Sequence, residues 1–525
     1  MTNPLKLFML ASENDALPGG KVGGIGDVVR EMPPALAEQG CELTVLTPAY
    51  GVFHKLSGAN LLMTLNVNFQ GRQEAVRFYE VDGRTTQANV RHWVLEHPLF
   101  SEGGVGQIYC DDPPNSPFAS DASKFALFCG AVAEMLVQRK DERPDVLHLH
   151  DWHAAFLLIL RQFHPDFQSL QDIPCVYTIH NLALQGVRPF TGHDSSLAAW
   201  YPGLRVEAPV LADPRWPDCL NPMAVGIRLA DRVHVVSPTY AEEIMLPSAV
   251  NDRGYYGGEG LEADLLQARA DDRLVGILNG CDYSVRAKAR PKWDVLVSGL
   301  QSQLLVWSAA HPSLKSAHFV ATERLREWSA KTPETILTSV GRLTEQKAQL
   351  LYQPDCNGVP ALYGILEHLG EKGVYIFLGS GDPELEQFLL KASARFTNFI
   401  FLNGYSDDVS SSLYSIGDLF LMPSSFEPCG ISQMLAMRAG QPCLVHHVGG
   451  LRDTVEQGVD GFAFTGDSLV QQADALVETC ADALKIKRGP AKPWKAIGKA
   501  AKAARFTWQD SIGQYLDKLY RPLRQ

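Results

Sequence analysis

The tract Ser425-Phe426-Glu427-Pro428-Cys429-Gly430-Ile431-Ser432-Gln433 sets one carboxylate just ahead of an expected helix start. Free backbone N–H groups and the positive end of a helix dipole attract an anion there, which makes Gly430 and Ile431 candidate phosphate contacts. An acid beside such a helix end suits a ligand that is part polyol and part phosphate. Glu427 could accept from sugar hydroxyls or favour positive charge developing at an anomeric carbon; a salt bridge or helix cap is the structural reading. Earlier in the same half, Gly341-Arg342-Leu343-Thr344-Glu345-Gln346-Lys347 follows an expected strand. On a loop, the fork of Arg342 and the compact charge of Lys347 could converge on a diphosphate, with a solvated surface as the competing reading. Gly379-Ser380-Gly381-Asp382 and Gly449-Gly450-Leu451-Arg452-Asp453 stand at further strand ends. There Gly379, Gly449 and Gly450 would bring backbone donors close to a nucleotide or hydroxyl.

The amino-terminal half carries a second set. Lys21-Val22-Gly23-Gly24-Ile25-Gly26-Asp27 lies between a strand and a helix, with Gly23 and Gly24 allowing close backbone approach and Lys21 offering a mobile charge to phosphate. It is neither GxGxxG nor GxxxxGK[ST], so a tight structural turn stays open beside a phosphate or sugar loop. Leu147-His148-Leu149-His150-Asp151-Trp152-His153 gathers polar groups at another strand terminus. His153 could donate to a sugar hydroxyl, and Asp151 could orient a histidine or accept from a hydroxyl. Structural hydrogen bonding and a metal pair of His150 with His153 are the alternatives, although no third ligand completes a metal site. His180-Asn181-Leu182-Ala183-Leu184-Gln185-Gly186 follows a further strand and is expected to face the same crevice, with loop organisation the competing reading for His180.

These tracts need strands to carry them. Short apolar runs alternate with longer amphipathic stretches, as strands covered by crossover helices do. Strands are expected at Leu5–Ala11, Cys41–Thr47, Val146–His150, Cys175–Ile179 and Val233–Ser237, with a helix over Gly26–Gln39. Pro48 ends the second strand because proline has no N–H to donate to a ladder. Asn279-Gly280-Cys281-Asp282 reads as a turn near the end of that domain, followed by a less regular stretch. A second alternation runs through Ile336–Val340, Val374–Leu378, Phe399–Leu402, Leu419–Met422 and Cys443–Val445, apolar and β-branched as buried parallel strands are. Trp508–Tyr520 is helical by pattern and free to pack against either domain.

The whole chain of 525 residues is long enough for two large or three smaller domains at roughly 100–200 residues each. Its 47 basic and 59 acidic side chains leave a net charge of -12, which gives no overall attraction for nucleic acid or an anionic membrane. The ten cysteines are scattered without a CxxC pair or metal-ligand spacing. The opening apolar run is too short for a signal peptide and no stretch reaches membrane-spanning length, so a reducing cytoplasm is the expectation.

Taken in order, these tracts resemble the bacterial glycogen synthase and plant starch synthase family of retaining glycosyltransferases, family 5. The matching series runs from the Lys21 loop through His150-Asp151-Trp152-His153-Ala154, His180 to Gly186, Arg342 to Lys347 and Phe426 to Ile431. It closes at Gly449-Gly450-Leu451-Arg452-Asp453-Thr454-Val455. The resemblance implies an α/β fold of two Rossmann-like domains facing across a deep cleft, the glycosyltransferase B fold. It implies domains over 1–285 (acceptor and catalytic) and 334–505 (nucleotide sugar), a divergent interdomain region over 286–333, and a carboxyl-terminal helix over 506–525. The implied reaction extends an α-1,4-glucan from ADP-glucose with release of ADP, requiring no cofactor and no metal. In that pattern Lys21 approaches the donor phosphate, His153 contacts the transferred sugar, Arg342 and Lys347 neutralise the departing diphosphate, and Glu427 supports the sugar. Asp121, with altered flanking residues, is similar to the family's carboxylate near the acceptor, and Asp151, His180, Asn181 and Gln185 are expected around the glucan.

This chain departs from the family at three places. Ala348 replaces the usual glycine after Lys347, Ser284 to Arg290 replaces a Trp-Asn-Pro signal, and Gln349 to Asn357 replaces a familiar helix opening. A related transferase using UDP-glucose or a small acceptor, and a noncatalytic glucan-binding protein, are the alternatives.

Overall fold

The computed structural model describes residues 4–206, 208–284, 287–310 and 315–524. The chain folds as two units, one formed by residues up to 248, 257–280 and 507–525, the other by 249–256 and 281–506. In the first unit the strands are β1 (Leu5–Leu10), β2 (Cys41–Pro48), β3 (Asn60–Phe69), β4 (Arg72–Val81), β5 (Val90–Glu96), β6 (Val146–His150) and β7 (Cys175–Ile179). They continue with a small antiparallel pair, β8 (Arg188–Pro189) and β9 (Cys219–Leu220), then β10 (Arg232–Val235) and β11 (Leu274–Gly276). Nine of them form one sheet in the order β11-β10-β7-β6-β1-β2-β5-β4-β3. Pairing is parallel from β11 to β5, and the β3–β4 hairpin closes one edge antiparallel.

Burial explains which strands were legible. Every residue of β6 and β7 is buried, because helices cover both faces of a parallel sheet, so both strands are mostly apolar, and the polar side chains they carry, His148, His150 and Thr178, are buried with them. The hairpin is mostly exposed along the first half of β3, and this weaker pattern left β3 and β4 unassigned from sequence; β5, buried over His92–Leu95, was unassigned as well. The remaining expected strands lie within one or two residues of their observed ends.

In the second unit β12 (Thr335–Val340), β13 (Gly373–Gly379), β14 (Phe399–Asn403), β15 (Leu419–Met422), β16 (Cys443–His446) and β17 (Gly461–Phe464) form an all-parallel sheet, ordered β14-β13-β12-β15-β16-β17. The expected interdomain region is instead part of this layer. Helices Trp293–Ala310 and Ser316–Ser329 pack Trp293, Leu300, Leu325 and Trp328 against Ile336, Val374, Ile376 and Ile400. That contact buries one face of the sheet, which a linker would leave wet. The boundary expected at Val285 and Arg286 lies outside the described residues. The carboxyl-terminal helix belongs to the first unit, where Trp508, Ile512, Tyr515, Leu519 and Tyr520 join the core with β1, β2 and helix Gly24–Glu38. Its last turn, Tyr515–Tyr520, is π-type.

Candidate functional site

The first unit gathers its polar groups at the carboxyl ends of β1, β6 and β7, the position where open parallel sheets hold ligands. Past β6 the backbone turns abruptly: Asp151 has φ +53, a left-handed conformation that costs an ordinary side chain energy and is held here by its surroundings. Its Oδ1 accepts from the His180 N–H at 2.7 Å, which ties the β6 end to the β7 end. Burial pushes the Asp151 carboxyl up to about 8, against the pull of the His180 and Asn181 amides. His150 Nδ1 and His180 Nε2 share a hydrogen bond of 2.8 Å, and burial holds both imidazoles far below their usual range.

His153 is packed by Trp152, Phe125 and Tyr109, with ring centroids 4.2, 4.7 and 5.4 Å away. Burial, helped by the positive charge of Lys124, pushes its pKa down to about 3. It is therefore a neutral imidazole, and its buried Nδ1 has no hydrogen-bond partner among the described residues.

Three of the expected glucan contacts are engaged by the protein instead. Gln185 donates to the carbonyls of Leu182 and Glu259, each at 3.2 Å. It accepts from Arg215 at 2.9 Å and Asn221 at 2.7 Å, which uses the full capacity of the amide. Asn181 accepts from the Ala183 N–H at 3.0 Å and shapes its own turn. Asp121 is buried on helix Ala119–Gln138, ion-paired with the buried Lys124 at 2.7 Å and accepting from the Cys110 N–H at 3.1 Å. Burial raises its pKa and Lys124 opposes the rise. Gln185 and Asp121 are thus committed to the protein, while Asn181 keeps its Nδ2 donor. Lys21, by contrast, stands half-exposed and paired with Asp27 at 2.6 Å.

In the second unit the charges stand at the ends of β12 and β15. Arg342 is exposed and makes neither hydrogen bond nor ion pair with the described residues. Lys347, on helix Glu345–Tyr352, forms an ion pair with Glu427, whose carboxylate also accepts from Ser424 Oγ at 3.0 Å. Glu427 is only 4% exposed, so Lys347 neutralises a charge that would otherwise be buried alone. His446, at the end of β16, bonds the Ser424 carbonyl at 3.0 Å and so supports the same corner. Sequence reasoning passed over His446, although its place at a strand terminus was the available signal.

The glycines of this unit divide by task. Gly430 has φ +78, and a Cβ there would lie 2.6 Å from Gln433 Oε1, so the turn into helix Ser432–Ala439 needs glycine. Ile431 caps that helix without a side-chain hydrogen bond, which leaves the first turn's donors to other partners. Gly379 and Gly450 serve close packing within the protein: a Cβ would meet the Gly341 carbonyl at 2.1 Å and the Cys429 carbonyl at 2.2 Å. The Gly450 N–H donates to the Glu427 carbonyl at 3.0 Å, which fixes the acid's backbone to the Gly449–Arg452 turn. Ala348 is buried inside its helix, where alanine is the best helix former, so the family's missing glycine imposes no backbone demand.

Among the described residues no cluster of three or more His, Cys, Asp or Glu side chains is placed to hold a metal ion.

Comparison with known proteins agrees across the whole chain. Residues 6–267 match the starch synthase catalytic domain family, and residues 321–503 match the glycosyl transferases group 1 family. A glycogen synthase of Streptococcus sanguinis is 32% identical, covering 99% of this chain and 100% of the relative. One from Streptococcus equi subsp. equi is 30% identical with the same coverage. Among solved structures, the catalytic domain of starch synthase IV from Arabidopsis thaliana, bound to ADP and acarbose, superposes with a TM-score of 0.77 at 23% identity and full coverage of both chains. At that identity the likeness speaks for the fold, which is the glycosyltransferase B fold.

Proposed function

The chain belongs to the glycogen synthase and starch synthase family, and we propose that it transfers glucose from ADP-glucose to the nonreducing 4-hydroxyl of an α-1,4-glucan, with retention at the anomeric carbon. That it is a glycosyltransferase acting on glucan follows from the family; the adenine donor is supported by the ADP carried by the starch synthase IV structure. The observation that carries the reading is the corner where Lys347 meets Glu427, with Arg342 unpaired nearby in sequence.

In this mechanism the bond between the anomeric carbon and the β-phosphate oxygen breaks, and negative charge grows on the departing ADP. Arg342, Lys347 and the open N–H groups after Ile431 favour that charge most when it is largest, which lowers the barrier rather than merely tightening binding. The acceptor O4 attacks the face that the phosphate leaves, and its proton passes to a phosphate oxygen of ADP. Glu427 faces the positive charge that develops on the sugar and is not a covalent nucleophile. His153, being neutral, can hold a sugar hydroxyl without placing a second positive charge beside that centre. No metal or other cofactor takes part. The reading assigns a cytoplasmic setting, supported by ten free cysteines.

The deciding experiment crosses ADP-glucose and UDP-glucose with glucan and with water, followed by linkage analysis. Transfer from ADP-glucose into α-1,4 bonds is the expected result. A clear preference for UDP-glucose overturns the donor assignment, and hydrolysis without transfer overturns the acceptor assignment.

A further inference from the structure

Glu13, directly after β1, is 2% exposed and is absent from the motif that made the Lys21 loop conspicuous. Its Oε2 accepts from the N–H groups of Val22 at 2.8 Å, Gly23 at 2.6 Å and Gly26 at 3.3 Å. Its Oε1 accepts from Tyr109 Oη at 2.8 Å, and the same hydroxyl lies 3.0 Å from Ser12 Oγ. The loop therefore forms an amide nest at the start of the 15-residue helix Gly24–Glu38, and an internal carboxylate occupies it. No cation among the described residues pairs with Glu13, so oriented amides and the Tyr109 hydroxyl stabilise its charge.

The glycine pattern has the same cause. A Cβ on Gly23 would lie 3.2 Å from Glu13 Oε1, and one on Gly26 would lie 3.1 Å from Oε2 and 3.2 Å from Lys21 Cβ. Gly23 has φ -131, which any residue adopts, so space for the Glu13 side chain rather than backbone freedom selects glycine there. The amides of Val22, Gly23 and Gly26 are thus occupied, contrary to the expectation that Gly23 contacts phosphate through its backbone.

We propose that Glu13 is a positioning residue for glucosyl transfer: its carboxylate fills the nest of residues 22–26, fixes the loop on which Lys21 stands, and links it through Tyr109 to His153. This rests on the roles of Lys21 and His153 given under Proposed function. Tyr109 makes the link by lying against His153 while donating to Glu13, so one buried acid sets both the cation's base and one wall of the imidazole pocket. Any phosphate in this unit's site then meets the Lys21 side chain rather than those three amides.

The test is a double-mutant cycle on the full-length protein. Glu13→Gln keeps the shape, removes the charge and replaces one acceptor oxygen by an NH2 group; kcat/KM is expected to fall about ten- to a hundredfold, the scale of one or two charge-assisted hydrogen bonds. In a Lys21→Ala background the same change should cost several-fold less, because contacts that act through one another are not additive, the remainder passing through Tyr109 to His153. Equal losses in both backgrounds, or no loss in either, overturn the proposal. Hydrogen exchange over residues 21–27 gives a readout independent of turnover: Glu13→Gln should speed it while leaving β1 protected, and unchanged exchange overturns the nest. If Lys21→Ala alone leaves transfer intact, the role of Lys21 fails and the purpose assigned to Glu13 fails with it, whereas the exchange result still reports on the geometry. Should Glu13→Gln fail to fold, Tyr109→Phe removes a single hydrogen bond to the acid; a smaller loss is expected, diminished in a Lys21→Ala and in a His153→Ala background, and a loss undiminished in both counts against the link.

Discussion

At the scale of single residues, the Lys347–Glu427 pair shows how one contact serves both stability and chemistry. The pair offsets the burial of the Glu427 charge, and in the proposed mechanism the diphosphate competes for the same ammonium. Lys347→Ala should lower kcat by about a hundredfold or more, the loss typical of removing one donor to a developing oxyanion. It also strands a buried carboxylate, at a cost of up to about 3 kcal/mol partly offset by Ser424, so thermal melting must accompany the kinetics. A near-normal kcat in a folded variant rules out a major catalytic role. Glu427→Gln keeps the shape and removes the charge; it should depress kcat more than donor affinity, and equal losses would mark a ground-state contact instead. Sequence spacing identified these charges, but not that Gln185 and Asp121 are committed to the protein. A side chain's residue type says what it can bond and says nothing of whether a partner already stands there.

At the scale of elements, the carboxyl-terminal helix is a structural member of the first unit. Tyr520 Oη and His148 Nδ1 lie 2.7 Å apart in the core, and His148 Nε2 lies 2.6 Å from Thr178 Oγ1, so the helix closes a chain of buried polar groups beneath β6 and β7. Tyr520→Phe leaves a buried ring nitrogen without its partner and should cost about 1–3 kcal/mol, read as a lowered melting temperature with kcat retained. An unchanged melting temperature would show that the contact contributes nothing. The helix itself was legible from its pattern between Trp508 and Tyr520. Its unit was not, since an apolar stripe fits either sheet until β1, β2 and helix Gly24–Glu38 leave a matching groove.

At the scale of the molecule, the first unit contains six buried imidazoles, His92, His148, His150, His153, His180 and His234, all pushed down chiefly by burial. Each stays neutral when folded, whereas the unfolded chain takes up protons below about pH 6.5. Stability is therefore full above about pH 6.5 and is lost as pH falls, by about 1.4 kcal/mol per group per pH unit. Asp151, raised to about 8, works the other way, as do Asp15, Glu31 and Asp121, also raised by burial, since their contributions decline as pH rises, but these are four groups against six. Melting at pH 5.5 should come well below melting at pH 7.5; equal values would contradict neutral burial. If arginine, lysine and helix amides neutralise the leaving group as proposed, chelation of divalent ions should leave the transfer rate unchanged. A strict, reversible metal requirement would refute that account.

The amino-acid sequence by itself determined the family, the paired α/β architecture and the strand ends that carry charge, because strands buried on both faces are mostly apolar and ligand chemistry gathers where they stop. Only the tertiary structure decided which polar atoms meet. Lys347 finds Glu427 across 80 residues of chain, and Tyr109 finds Glu13 across 96. Such pairings follow from the packing of distant segments, and local spacing holds no record of them.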